Sequence, residues 1–153
     1  MDVAKIALPI ILGLIVLLTI LSLIFRLVQK KMLHVVAQRF KTNEIVLLDL
    51  GANFFGLSSK GLKQVRGNGA LVMTENQLWF HRAAPSWEIS IPLEHIRAFD
   101  LRRTHLGKGI AFKSVLYVEF ISEIGQDSIA WALREPQKWI DALTSATRKA
   151  PLD

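Results

Sequence analysis

The sequence predicts a mainly β fold, α+β by content: an N-terminal transmembrane helix, then a bent antiparallel β-barrel of about seven strands capped by a C-terminal helix. Three observations carry this reading. Residues 6–25 form one uncharged apolar run. Short apolar stretches separated by turn residues fill most of the remaining chain. A single amphipathic stretch with proline at its first turn closes it.

The run over 6–25 reads IALPIILGLIVLLTILSLIF. A helix of that length is about 30 Å long, the thickness of a bilayer core. The run also resolves an odd balance, a chain that is 51% hydrophobic yet carries a net charge of +6. Without it, the remainder has the composition of an ordinary soluble domain. Secretory leaders have apolar cores of roughly 7–15 residues and end at small residues. Here SLIFRLVQKK ends the run, so residues 1–25 are expected to be a retained anchor, integral to the membrane with one span. Lys5 lies before the run, whereas Arg26, Lys30, Lys31, Arg39 and Lys41 follow it. That bias predicts a cell-membrane protein with its N-terminus outside and its C-terminal domain cytoplasmic. No ionisable residue lies within the run, which argues against an ion or proton pathway. Gly13 stands alone, without the small-residue spacing of helix pairing.

Residues 26–42 are expected to continue the helix as a basic juxtamembrane segment. Val28, Met32, Val36 and Phe40 recur every fourth residue as an apolar stripe, and Arg26, Lys30 and His34 form a second row. Each cation near an anionic leaflet contributes about 1 kcal/mol. The row therefore suits either a stop-transfer signal or an acidic-lipid clamp.

The soluble domain is expected over 43–150, with 151–153 as a tail. Residues 44–50 read as a strand, and the Gly- and Ser-rich 51–61 as a loop or bent edge. Residues 64–66 suggest a short strand before a turn at Gly67-Asn68-Gly69. Residues 70–74 and 77–82 flank Glu75-Asn76 as a hairpin. Along 87–91, Trp87, Ile89 and Ile91 alternate with Glu88 and Ser90, the pattern of a half-exposed antiparallel strand. Pro92 ends it. Strands are expected over 96–103, 114–121 and 128–133, with a glycine-containing loop over 104–113. The last helix has Pro136 in its first turn, where a missing N–H is harmless. Trp139, Ile140 and Leu143 share its apolar face, and Pro151 ends it. Trp79, Trp87, Trp131 and Trp139 are read as barrel core.

Three stretches resemble a known family. GNGALVMTENQLWF (67–80) is similar to the hairpin of GRAM and related bacterial pleckstrin-homology-like (PH-like) domains. ISIPLEHI (89–96) resembles their next strand and its Ile-Pro-Leu turn, and REPQKWIDAL (134–143) their closing helix. One departure is Gln77, where many such hairpins carry arginine. The resemblance implies a PH-like fold and a module that binds anionic lipids or proteins.

Chemistry-bearing patterns are sparse. With no cysteine, disulfides, thiolate metal sites and a cysteine nucleophile are excluded. The chain lacks the nucleophile-elbow, HExxH and P-loop patterns. Its four histidines are scattered. No catalytic residue, metal site or cofactor is expected, nor is nucleic-acid binding, despite a pI of about 9.9. Two basic clusters remain. Lys60, Lys63 and Arg66 precede the Gly67 turn; Arg102, Arg103, His105, Lys108 and Lys113 surround a glycine loop. They are either solvated loops or a surface for anionic head groups or a protein partner. The expected function is a membrane-anchored, non-enzymatic binding module. The alternative is a structural or assembly subunit of a membrane complex.

Overall fold

The computed structural model describes residues 3–149. Helix α1 (Val3–Arg39) runs without a break through the apolar run and the basic segment. It is the one helix among the described residues long and apolar enough to cross a membrane, and its apolar window is fully exposed. A short 3-10 turn (Thr42–Glu44) follows, in which the Lys41 backbone N–H donates to the Glu44 carboxylate at 2.6 Å.

The strands are β1 (Leu47–Leu57), β2 (Gly67–Met73), β3 (Gln77–Arg82), β4 (Trp87–Pro92), β5 (Ile96–Arg102), β6 (Thr104–His105), β7 (Lys108–Gly109), β8 (Val115–Ser122) and β9 (Gly125–Ala132). Helix α2 (Pro136–Lys149) closes the described chain. Seven strands form one antiparallel sheet in the order β4-β3-β2-β1-β9-β8-β5, and β6 pairs with β7 as a separate hairpin. The strand count and the closing helix match the sequence reading, but the barrel is not closed. Strands β4 and β5 stand at opposite edges and do not pair. Pro92 and the 3-10 turn Leu93–His95 separate them, and α2 packs across this turn, β5 and β8.

Two further readings are corrected. Residues 51–57 are strand, not loop, and β1 lies mid-sheet. Irregularities between Asp49 and Ala52, and between Phe54 and Gly56, bend β1 so that it pairs first with β2 and then with β9. Gly56, at φ 117°, supplies a conformation that other residues rarely adopt. Gly67–Gly69 belong to β2 rather than to a turn. Gly69 is required by close approach, because a Cβ there would collide with the His81 carbonyl of β3. Residues 64–66 are irregular.

The inner face of the sheet holds the main core, including Leu71, Phe80, Val118, Ile129, Trp131 and Leu143. Phe80 packs 5.5 Å from Phe54 and 5.9 Å from Trp131, centroid to centroid. Asp49 is a buried charge in this frame. Its carboxylate accepts from the Gly51 N–H at 2.8 Å and the Arg134 N–H at 2.9 Å, tying β1 to the start of α2.

A second core lies on the outer face. Met32 and Val36 of α1 are fully buried with Ala70, Val72 and Trp79. The stripe expected from the sequence is therefore real, and it is covered by protein. Trp79 belongs here, under α1, and not to the inner core that contains Trp131 and Trp139. Its ring meets Phe40 edge-on at 5.3 Å, and its N–H donates to Glu88 at 3.1 Å. Arg39 lies 5.6 Å from the Trp79 ring and 3.7 Å from the Glu88 carboxylate.

The direction of α1 follows from these contacts. Gln29 lines a cavity with Leu47–Leu50 of β1, whereas Arg39 reaches Glu88 of β4. Ten residues of helix rise about 15 Å. Three strand spacings, from β1 to β4, span about 14 Å. The helix axis thus crosses the strands along the hydrogen-bonding direction, with β1 nearest the apolar run and β4 farthest from it.

Candidate functional site

The two basic clusters sit on the β1–β2 connection (58–66) and on the end of β5 with the β5–β8 connection that follows (102–114). Both are anchored to the frame. Ser59 donates through its N–H and hydroxyl to Asp127, at 2.9 and 2.6 Å. The Gln64 side chain accepts from the Leu57 N–H and donates to the Leu57 carbonyl, both at 2.8 Å. From the other connection, His105 donates from Nε2 to the Gly56 carbonyl at 3.0 Å and packs edge-on against Tyr117 at 5.7 Å.

His105 lies within reach of one charge from each cluster. It is buried, and burial is the main force pushing its pKa below the ordinary value. The positive charges of Arg66 and Arg102 push the same way, against the Gly56 hydrogen bond and Asp127. Arg66 lies 5.4 Å over the Phe55 ring, and Arg102 lies 3.4 Å over Tyr117. Among the described residues, neither has a carboxylate within ion-pair distance. The Nε and Nη2 atoms of Arg66 are buried without a hydrogen-bond partner. Arg66 as a whole is half-buried, so this one edge of its guanidinium group lacks a partner, and a buried donor pair left unpaired favours an acceptor.

The other candidates lie apart from this point. The Lys60 ammonium lies 5.0 Å over Trp87, at a cavity of about 180 Å³ lined also by Phe54, Gln64, Val65 and Arg82. Arg103 and Lys113 line an open groove with Ile110 and Phe112. Lys63 and Lys108 are exposed. Of the juxtamembrane cations, Arg26, Lys30, Lys31 and Lys41 are exposed, while Arg39 makes the contacts to Trp79 and Glu88 described above.

Arg82 is a residue that the sequence reading passed over. It is buried, and donates from Nε to the Pro85 carbonyl at 2.8 Å and from Nη1 to the Val65 carbonyl. It therefore clamps the 58–66 connection to the β3–β4 turn. The alternation of β3 held the signal, since Leu78, Phe80 and Arg82 share the inward face. Among the described residues, no group of three or more His, Asp or Glu side chains is placed to hold a metal ion.

No family model matches the chain, and no curated protein matches it. Among solved structures, a chain of the 8S snRNP assembly intermediate aligns at a TM-score of 0.58 and 12% identity, covering 74% of this chain and 89% of that one. The C-terminal domain of an unknown protein from Leishmania infantum aligns at a TM-score of 0.49 and 15% identity, covering 69% of this chain and 84% of that domain. At 12% identity, the likeness to the first is one of fold alone.

Proposed function

We propose that this chain is a membrane-anchored, non-enzymatic module with a PH-like fold that binds an anionic group on the cytoplasmic side of the cell membrane. The observation that carries the proposal is the partnerless pair of Arg66 nitrogens, whose charge acts with that of Arg102 on the buried His105. A phosphate or carboxylate oxygen is the acceptor such a pair favours, through charge-assisted hydrogen bonds. The seven-strand order and the closing α2 support the PH-like reading. The excess of cations after the apolar run supports the orientation. A reporter active only outside the cytoplasm, fused after Asp153, is expected to stay silent.

The ligand carries either a lipid phosphate or a protein carboxylate, and one titration separates them. The full chain in mild detergent is titrated with inositol trisphosphate and, separately, with polyglutamate. Binding of either probe that Arg66→Gln/Arg102→Gln abolishes supports the proposal and names the ligand class. Failure to bind both probes, or equal binding by the variant, overturns it.

A further inference from the structure

A second feature lies where α1 leaves its apolar run. A cavity of about 310 Å³ is lined by Gln29 of α1, Leu47–Leu50 of β1, and Arg134, Glu135, Lys138 and Trp139 at the start of α2. Its height follows from the helix. Gln29 is four residues beyond Phe25, or about 6 Å along the axis. The polar layer on each face of a bilayer is about 5–8 Å thick. The cavity therefore opens at head-group level when α1 spans the membrane.

Its chemistry suits a phosphate ester. Arg134 and Lys138 are exposed cations on its wall; Lys138 is already paired with Glu135, and among the described residues Arg134 has no carboxylate within ion-pair distance. The nearby Asp49 carboxylate is engaged by the Gly51 and Arg134 backbone N–H groups, and Glu135 is held by Lys138 at 2.6 Å. Arg26, one turn below Gln29, adds a cation on the membrane side. A shallow groove lined by Ile15, Leu18, Thr19, Ser22, Leu23 and Arg26 runs along α1 toward it. At 100° per residue, positions 15, 22, 26 and 29 fall on one face, so the groove and the cavity lie on the same side of the helix. The Thr19 hydroxyl in that groove is satisfied by the Ile15 carbonyl at 2.8 Å, so the groove is mainly apolar apart from Ser22 and Arg26.

We infer that this cavity holds the phosphate head group of one anionic phospholipid, with an acyl chain in the α1 groove. The inference rests on the membrane-spanning reading of α1 and is independent of the Arg66 site. The bound lipid joins α1, β1 and α2 at the membrane surface.

The test uses the delipidated full chain in mild detergent, with thermal unfolding read during titration. The probes are phosphatidylglycerol, phosphatidylcholine and glycerol 3-phosphate. Phosphatidylglycerol is expected to raise the melting temperature, and the other two are not. Arg134→Gln/Lys138→Gln is expected to shift the half-effect concentration about fivefold, the effect of removing one cation near an anionic surface, because Lys138 is already paired with Glu135. Gln29→Trp, which fills the cavity, is a second variant expected to lose the effect. In the Arg66→Gln/Arg102→Gln background, the loss caused by Arg134→Gln/Lys138→Gln is expected to persist, which separates this cavity from the Arg66 site. An unchanged response in both cavity variants overturns the inference. So does an equal response to phosphatidylcholine, or to glycerol phosphate without a lipid chain.

Discussion

Truncating Met32 tests whether α1 is part of the folded domain or merely its tether. The Met32 side chain is 0% exposed and lies against Ala70, Val72 and Trp79. Met32→Ala removes its thioether arm and leaves a cavity that the sheet cannot readily collapse into. Such substitutions cost about 2–4 kcal/mol when the site is fully buried. For a domain of this size that is roughly 6–15 °C in melting temperature. The control is Leu33→Ala on the next helical position, where the side chain is 49% exposed. Its expected effect on the domain is within about 0.5 kcal/mol. Thermal unfolding of the full chain in mild detergent, followed by tryptophan fluorescence, reads both. Because Trp79 sits in the same contact, its emission should shift to the red in Met32→Ala before global unfolding. Equal melting temperatures for the two variants, with no emission change, would refute the docking argument.

Two other predictions concern the frame. The lowered pKa of His105 means that the folded state favours the neutral ring. Its contribution is intact above the ordinary imidazole value of about 6.5 and is lost as pH falls from there toward the lower folded value. His105→Gln keeps a donor for Gly56 but cannot titrate, so it should flatten the fall in melting temperature between about pH 7 and pH 5; an unchanged slope assigns the dependence to another group. Gly69→Ala places a Cβ against the His81 carbonyl and should sharply destabilise the β2–β3 pairing, whereas Gly13→Ala meets nothing within 4 Å and should not. Circular dichroism of the two variants in detergent decides this, and a native-like Gly69→Ala would contradict the close packing.

Local patterns were legible where one face of an element met one environment. The 70–82 hairpin, the alternating 87–92 strand and the helix after Pro136 were all read within a residue or a few of their bounds. Glycine misled at two places for opposite reasons. In β1, the glycines at 51 and 56 belong to a strand that bends to serve two neighbours. In β2, Gly69 makes room for the adjacent backbone rather than turning the chain. Barrel closure was not legible, because it depends on the accumulated bend of all seven strands. Trp79 alternates away from Leu78 and Phe80, so its complete burial required a cover on the outer face. The Val28–Phe40 stripe was that cover, a pairing between segments that no local pattern connects. The basic residues were visible as two separate clusters, but the joint action of Arg66 and Arg102 on His105 depends on segments distant in sequence.

The central structural claim is that the helix extending from the apolar run lies across the sheet, from β1 to β4. The chain has no cysteine, so engineered pairs report without background. Arg39→Cys/Glu88→Cys replaces an ion pair of 3.7 Å at the far end of that crossing. Intact membranes holding the full chain are treated with a short bismaleimide, and the linked peptides are identified by mass spectrometry. The account predicts efficient intramolecular linkage for this pair and little for Lys31→Cys/Glu88→Cys, two helical turns nearer the apolar run. Equal linkage of the two pairs, or none in either, would contradict it.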